Sequence, residues 1–309
     1  MQEQIDTISQ NDDNGLFPIR TVSAVTGVNP ITLRAWERRY NLIVPKRTPK
    51  GHRLYTKEDI ERIERVTALL NQGMAISQVK PLLDKAQTPH ANSTSELNQD
   101  IWSKYQDLMM QAISTFDEHR LDSTYNDALS LYPVDIVSSR LITPLLQKLG
   151  KQWKESGSGI AEEHFFSVYL RNKLGARIQH MNLRTTGPLL LIACLPGEQH
   201  EIGMLLFSLA ALNYGYRALI LGANLPLDQI PAVVEKRACD AIVLSGFSKP
   251  ARDLFKQHLP KLVSSVSIPV FTGGALADRH KDEIESVQAI YAGTDIHTGL
   301  ETIAKTLNN

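Results

Sequence analysis

Cysteine is nearly missing, with two residues, Cys194 and Cys239, in a chain of 309. Two distant thiols cannot build a disulfide framework, and a thiolate metal site needs more of them or a closer spacing. Both fall inside apolar runs that read as strands, so buried, inert thiols are expected. Long hydrophobic runs are missing as well. The most apolar stretch, residues 189–221, is interrupted by PGEQHE and cannot cross a bilayer. The opening MQEQIDTISQNDDNG is polar and acidic, without the basic start and apolar core of a secretory signal. A cytoplasmic protein with no membrane attachment is expected. Net charge is zero, with 33 Lys plus Arg against 33 Asp plus Glu, yet the charge is unevenly placed. Residues 18–57 hold nine basic side chains and a single acid, Glu37, a distribution suited to a local phosphate-binding face.

The chain reads as successive blocks. Residues 17–86 are a small domain with a basic middle. Residues 87–96, QTPHANSTSE, have linker composition with no pattern to bury. Residues 97–182 are helical, and residues 183–309 alternate strand-like and helical runs. The expected fold is multidomain, α then α/β: a winged helix-turn-helix, a four-helix bundle, and a five-stranded parallel Rossmann-like (flavodoxin-like) domain.

In the first domain, residues 20–26 form a short helix and Gly27 permits a sharp turn. Asn29 caps the next helix and Pro30 fits its first position. On that helix, running to about Tyr40, Leu33 and Trp36 face inward while Arg34 and Arg38 point outward together. This is the helix-turn-helix pattern. Residues 44–56, VPKRTPKGHRLYT, read as a basic hairpin wing, after which Thr56 and Asp59 have capping-box spacing. The stripe Ile60, Ile63, Val66, Thr67 and Leu70 is the buried side of the following helix. A last short helix starts at Ser77, with Pro81 near its beginning. The pattern RAWERRY…P.R…G.R.Y…D resembles the MerR family of transcription regulators. That resemblance implies paired domains on a pseudo-palindromic operator in double-stranded DNA. It places Arg34, Arg38 and Arg39 near the major groove, Lys46 and Arg47 at phosphates, and Arg53 and Tyr55 on the backbone from the wing.

The helical block reads as four helices, 97–116, 120–131, 135–155 and 160–180. Their stripes are Trp102, Tyr105, Met109, Ala112 and Ile113 on one, and Leu141, Leu145, Leu146 and Leu149 on another. In the last domain the strand candidates are 189–194, 218–221, 241–244, 270–272 and 289–291, and the helical stretches are 200–214, 227–236, 251–259, 279–286 and 297–307. In such folds the ligand sits over the carboxyl ends of the strands. There stand Glu198, His200 and Gly203, then Ser245, Gly246 and Ser248, then Gly273 and Gly274, then Gly293 and Thr294. A lone imidazole oriented by a carboxylate suits a metal only where a cofactor supplies the remaining ligands.

The order Glu198-x-His200-x-x-Gly203, Ser245-Gly246-Phe247, Gly273-Gly274 resembles the cobalamin-binding domain shared by methionine synthase and corrinoid mutases. The resemblance makes His200 the lower axial ligand of cobalt and Glu198 its orienting partner. It places Ser245, Gly246, Gly273 and Gly274 along the slot for the displaced nucleotide tail, with Gly293 and Thr294 at the last strand end. Trp153, Glu163 and His164 are spaced as in the light-sensing MerR-type repressors of carotenoid genes, where they surround the adenosyl group of adenosylcobalamin. Two departures stand out. Glu198 replaces the usual Asp. Lys154 follows Trp153 where those photoreceptors carry a histidine, and a protonated lysine is a poor metal ligand at neutral pH. The expectation is a non-enzymatic regulator, a homo-oligomer (dimer or tetramer) that adenosylcobalamin assembles in the dark and light takes apart. The alternative is a regulator of the same architecture answering to another cobalamin form, or to none.

Overall fold

The computed structural model describes residues 15–84, 95–152, 158–183 and 185–307. The expected linker falls largely on residues 85–94, outside that range. The chain divides into two compact units, Met1–Phe166 and Ser167–Asn309.

The first unit opens with β1 (Phe17–Pro18) and α1 (Ile19–Thr26). Gly27 ends α1 in the left-handed region (φ 70°), where a β-carbon would be strained. Asn29 caps α2 (Pro30–Ala35), its side chain accepting from the backbone N–H of Ile31 and Thr32 at 2.9 Å each. The expected single helix to Tyr40 instead widens into a π turn at Trp36–Tyr40, closed by Asn41 in the left-handed region. Strands β2 (Lys46–Arg47) and β3 (Arg53–Tyr55) form the hairpin wing, and with β1 make an antiparallel sheet of order β1-β3-β2. Thr56 and Asp59 form a reciprocal capping box on α3 (Lys57–Asn71), which buries Ile60, Ile63, Val66 and Leu70. Thr67, expected in that stripe, is only partly buried and returns its hydroxyl to the Ile63 carbonyl. In α4 (Ile76–Asp84), Pro81 sits inside the helix rather than near its start. The proline removes one backbone donor from the helix.

The helical block of this unit is α5 (Ser95–Ser114), α6 (Glu118–Leu131), α7 (Val134–Val137), α8 (Thr143–Gln152) and the start of α9 (Gly159–Asn182), which continues into the second unit. A π turn, Ser138–Ile142, joins α7 to α8, so the three pieces form the expected third helix. Pro144 explains an exposed acceptor there: it has no N–H for the Arg140 carbonyl, which accepts instead from the Gln106 side chain at 3.1 Å. The expected stripes are buried, except that Leu146 is half-buried. Trp102 packs on Tyr132 with ring centroids 4.6 Å apart. The helix-turn-helix is tied to the block through α2. The Trp36 indole N–H donates to the Leu131 carbonyl at 2.8 Å, and the Thr32 hydroxyl to the Leu129 carbonyl at 3.2 Å. These are carbonyls of the last turn of α6, which the helix itself cannot satisfy.

The second unit is a parallel sheet of β4 (Leu189–Cys194), β5 (Arg217–Gly222), β6 (Ala241–Ser245), β7 (Val270–Gly273) and β8 (Ile290–Tyr291). Its order is β5-β4-β6-β7-β8, the 2-1-3-4-5 arrangement of flavodoxin-like folds. Every residue of β4 is buried, as expected of a strand covered on both faces. The intervening helices are α10 (Ile202–Asn213), α11 (Ile230–Arg237), α12 (Leu259–Ser265), α13 (Ala275–Arg279), α14 (Lys281–Ser286) and α15 (Ile296–Leu307). The helix expected at 251–259 lies further on: a π turn, Leu254–His258, leads into α12, where Pro260 sits in the first turn. The helix expected at 279–286 starts earlier and breaks at His280. Cys194 lies in β4, but Cys239 lies in the turn before β6 rather than in a strand. Both thiols are free and buried.

Candidate functional site

Two groups of side chains carry chemistry, one in each unit. In the first, α2 and its π turn hold Arg34, Arg38 and Arg39 exposed. Arg20, Arg34, His52 and Arg53 line a concavity with Pro18, Ile19 and Gly51, so the helix-turn-helix and the wing share one basic recess. Arg20 and His52 were not among the expected contacts; the wing has to fold before His52 is brought beside Arg34. Lys46 and Arg47 are exposed on β2.

Tyr55 requires a correction. It is 0% exposed and cannot reach a DNA backbone from the wing. It pairs in register with Phe17, itself buried, so the strand's alternation turns Tyr55 into the core. Burial pushes its hydroxyl up to about 12, with the Glu37 charge adding to the effect.

The single acid of the basic segment, Glu37, bridges the wing. Its carboxylate accepts from Arg47 at 2.6 Å and from Arg53 Nε at 2.5 Å. Burial acts to raise its pKa, but hydrogen bonds and charge from Arg53 and Arg47 outweigh it and hold the carboxyl below its ordinary value.

In the second unit, Glu198 and His200 lie in the loop between β4 and α10, and Phe247 and Ser248 in the loop after β6. Glu198 is 3% exposed and joins the two loops. One carboxylate oxygen accepts from the backbone N–H of Phe247 and of Ser248, both at 2.7 Å. The other accepts from the His200 backbone at 2.8 Å, the His200 ring Nδ1 at 2.6 Å and the Ser248 hydroxyl at 3.2 Å. Burial alone would raise the Glu198 pKa. The backbone donors of Ser248, His200 and Phe247, with the His200 ring, reverse that and hold it at about 2.

An ionised Glu198 at Nδ1 fixes the proton on that nitrogen. The other ring nitrogen of His200 makes no hydrogen bond among the described residues, on a side chain 48% exposed. Phe247 stands beside the ring, centroids 6.0 Å apart.

Further contacts hold the loops. Asn224, after β5, accepts from the Gly197 N–H through its side chain and donates its own N–H to the Glu198 carbonyl. Arg279 of α13 donates to the carbonyls of Phe247 and Ser248 at 2.8 and 3.1 Å. Asn224 and Arg279 were not among the expected site residues, and Ser248 was expected at the strand end but not in contact with Glu198. Ser248 was visible only as one hydroxyl in LSGFSKP.

Ser245 ends β6, half-buried, two strands of the sheet away from the exposed Thr294 beyond β8. The glycines after β6, β7 and β8 bring main chain against main chain. A β-carbon on Gly274, whose φ is 94°, would stand 2.5 Å from the Gly246 carbonyl oxygen. On Gly246 it would meet Leu195 and Leu276 at 2.8 and 2.9 Å, and on Gly273 it would meet the Gly293 carbonyl at 3.2 Å. Part of the glycine pattern thus serves the protein's own packing. Gly203 differs: a β-carbon there meets nothing within 4 Å, so the space above it is open to a ligand.

Trp153 and Lys154 lie outside the described residues. Glu163 and His164, in the first unit, are neighbours on α9 and so point about 100° apart around the helix. His164 is exposed, whereas one oxygen of Glu163 is buried with no hydrogen-bond partner among the described residues.

The MerR HTH family regulatory protein profile matches residues 17–86, and a B12 binding domain profile matches residues 105–178, the helical block. This is a MerR-type helix-turn-helix domain joined to a cobalamin-binding domain. The MerR-type chain is similar along most of its length to two proteins of Myxococcus xanthus. It is 27% identical to the HTH-type transcriptional repressor CarH, over 86% of this chain and 91% of that protein. It is 28% identical to the HTH-type transcriptional repressor CarA, over 89% and 92%. The fold is shared with the monomethylamine corrinoid protein of Methanosarcina barkeri, at a TM-score of 0.53 and 16% identity over 68% of this chain and 99% of that one. Residues 17–86 are accordingly a MerR-type helix-turn-helix domain, and residues 105–178 match a B12 binding domain.

The residues present fit a corrinoid. Among the described residues no group of three His, Cys, Asp or Glu could hold a metal by itself. His200 offers one imidazole nitrogen with its partner nitrogen tied down, the donor set a macrocycle needs from its protein. No helix among the described residues is long and apolar enough to cross a membrane.

Proposed function

We propose that this MerR-type regulator is a transcriptional repressor whose hold on DNA is set by adenosylcobalamin and by light. The reading is carried by one observation: the Glu198–His200–Ser248 cluster, at the carboxyl ends of the strands, stands in the same chain as a helix-turn-helix. When bound, adenosylcobalamin supplies a cobalt–carbon bond that visible light breaks.

The protein's own residues do the rest. The ring nitrogen of His200 opposite Glu198 would hold the cobalt of the corrinoid, and Glu198 keeps the other nitrogen protonated. Ser248 and Arg279 hold the loop that carries Phe247 beside the imidazole. Ser245, Gly246, Gly273, Gly274, Gly293 and Thr294 line the nucleotide tail. Gly203 leaves the backbone of α10 open to the macrocycle. By the family resemblance, Trp153, which lies outside the described residues, and Glu163 and His164 would face the adenosyl group, and the Glu163 oxygen that has no partner among the described residues is a candidate acceptor for a sugar hydroxyl. Arg34, Arg38 and Arg39 enter the major groove of a pseudo-palindromic operator while Lys46, Arg47 and Arg53 take phosphates. Oligomerisation, to a dimer or a tetramer, multiplies the hold on DNA through effective concentration.

The test is retention of a DNA fragment carrying the promoter of the protein's own gene, with adenosylcobalamin in darkness and after illumination. Retention in the dark and release in the light is the expected result. Equal retention in every condition overturns light control. Release by added cobalamin irrespective of light favours the second reading, in which another cobalamin form is the signal; Lys154, in place of a ligating histidine, motivates that reading.

A further inference from the structure

Glu37 is the one acid among nine bases in residues 18–57, and it lies on the helix meant for DNA. A lone carboxylate facing phosphates repels them, so its position calls for a compensating role. The geometry points to Glu37 as a positioning residue for DNA binding: it clamps both strands of the wing to the recognition helix and sets the two wing guanidiniums toward phosphate.

Its two oxygens reach different strands, one to Arg47 on β2 at 2.6 Å and the other to Arg53 on β3 at 2.5 Å. Glu37 itself stands in the π turn that prolongs α2. The wing strands are two and three residues long, too short to fix their own angle to the helix. Among the described residues, hydrogen bonds of the tip loop run within it: the Thr48 N–H donates to the His52 carbonyl at 2.9 Å and the His52 N–H to the Thr48 hydroxyl at 3.0 Å.

Each guanidinium gives Glu37 part of its donor fork and keeps the remaining N–H groups. Arg47 stays 50% exposed, and Arg53, at 18%, lines the basic recess with Arg34. The cluster keeps one net positive charge while its direction becomes fixed. Arg53 itself lines the recess that the recognition helix and wing share.

This rests on the reading that Arg47 and Arg53 touch phosphate, and the experiment separates the two claims. Binding of the full chain to a random-sequence 30-base-pair duplex is followed by anisotropy over a salt series, where the slope counts phosphate contacts. Four proteins are compared: wild type, Glu37→Gln, Arg47→Ala/Arg53→Ala, and the triple variant.

Electrostatics alone predicts tighter binding for Glu37→Gln, since a negative charge is removed. Positioning predicts the opposite: binding weaker by about three- to tenfold, with a salt slope shallower by about one contact. In the double-alanine background the sign should reverse. Glu37→Gln then tightens binding slightly, because the carboxylate has nothing left to position.

Unchanged or tighter binding for Glu37→Gln beside a weakened double-alanine variant overturns the clamp. A double-alanine variant that binds as wild type overturns the wing reading itself. Should Glu37→Gln fail to fold, as read by circular dichroism, Glu37→Asp is used in its place. Its carboxylate keeps the charge and loses reach, so weaker binding at constant charge supports the clamp and wild-type binding refutes it.

Discussion

Replacing Glu198 by Gln should weaken the second unit far more than an isosteric exchange normally does. The carboxylate is 3% exposed and accepts five hydrogen bonds, from two backbone N–H groups on one oxygen and three donors on the other. An amide has one oxygen and one NH2. Turned one way, it sets its NH2 against the N–H groups of Phe247 and Ser248; turned the other, against the His200 N–H, and in both the charge that fixes the His200 tautomer is lost. A buried donor left unsatisfied costs about 1–3 kcal/mol, and bonds to a charged acceptor are worth more than neutral ones. Either set of losses, eased by some movement of the Phe247–Ser248 loop, comes to about 3 kcal/mol. At a urea dependence of about 2 kcal/mol per molar, the unfolding midpoint should fall by about 1.5 M. Glu198→Asp keeps the charge and should cost about 1 kcal/mol through lost reach. Urea unfolding at pH 7 by circular dichroism gives the number. Hydrogen exchange of peptides covering residues 189–194 and 241–245 shows whether the loss falls on β4 and β6. A Gln variant within about 0.5 kcal/mol of wild type, the range of ordinary surface changes, would refute this account of the two loops.

Trp36→Phe keeps the ring in the core but removes the N–H that the Leu131 carbonyl accepts at 2.8 Å, and should cost about 1–2 kcal/mol in thermal denaturation of the first unit; a change near zero would mean that water takes the indole's place. Burial pushes the Cys194 thiol up to about 12 and raises that of Cys239, so neither is a thiolate at pH 8. A thiol-specific reagent should label neither in the folded protein and both in denaturant, and rapid native labelling would contradict their placement. The Glu37 carboxyl is held below its ordinary value of 4.5, so its pairing stabilises fully above that pH and is lost as pH falls through the lower folded value. Melting temperature of wild type minus Glu37→Gln should therefore be constant from pH 7 to about 5 and shrink below; a difference that grows on acidification would reverse the assigned sign.

Local chemistry was legible in the sequence wherever a few adjacent residues decide it. The Asn29–Pro30 helix start and the Thr56–Asp59 box need only their own turn. The inner strands β4, β6 and β7 stood out because a strand buried on both faces is a continuous apolar run. The pair Glu198 and His200 was legible because two residues of separation suffice for the contact. What stayed hidden depends on distant chain. Ser248 joins Glu198 across fifty residues, and the Leu131 partner of Trp36 is 95 residues away. The family resemblance places Tyr55 on the DNA backbone, but the strand's alternation sends it inward. The π turns at Trp36–Tyr40 and Ser138–Ile142 have no compositional mark, although Pro144 explains why the Arg140 carbonyl turns to the Gln106 side chain.

The claim that joins sensing to DNA is that His200 holds cobalamin through cobalt. The most direct measurement is the absorption spectrum of the full chain with adenosylcobalamin in the dark, recorded for wild type and His200→Ala, with gel filtration before and after illumination. The account predicts a base-off, histidine-ligated spectrum in wild type, its loss in His200→Ala, and a fall in molecular mass when the wild-type complex is illuminated. A free-cofactor spectrum with wild type, or the same bound spectrum from His200→Ala, would contradict it.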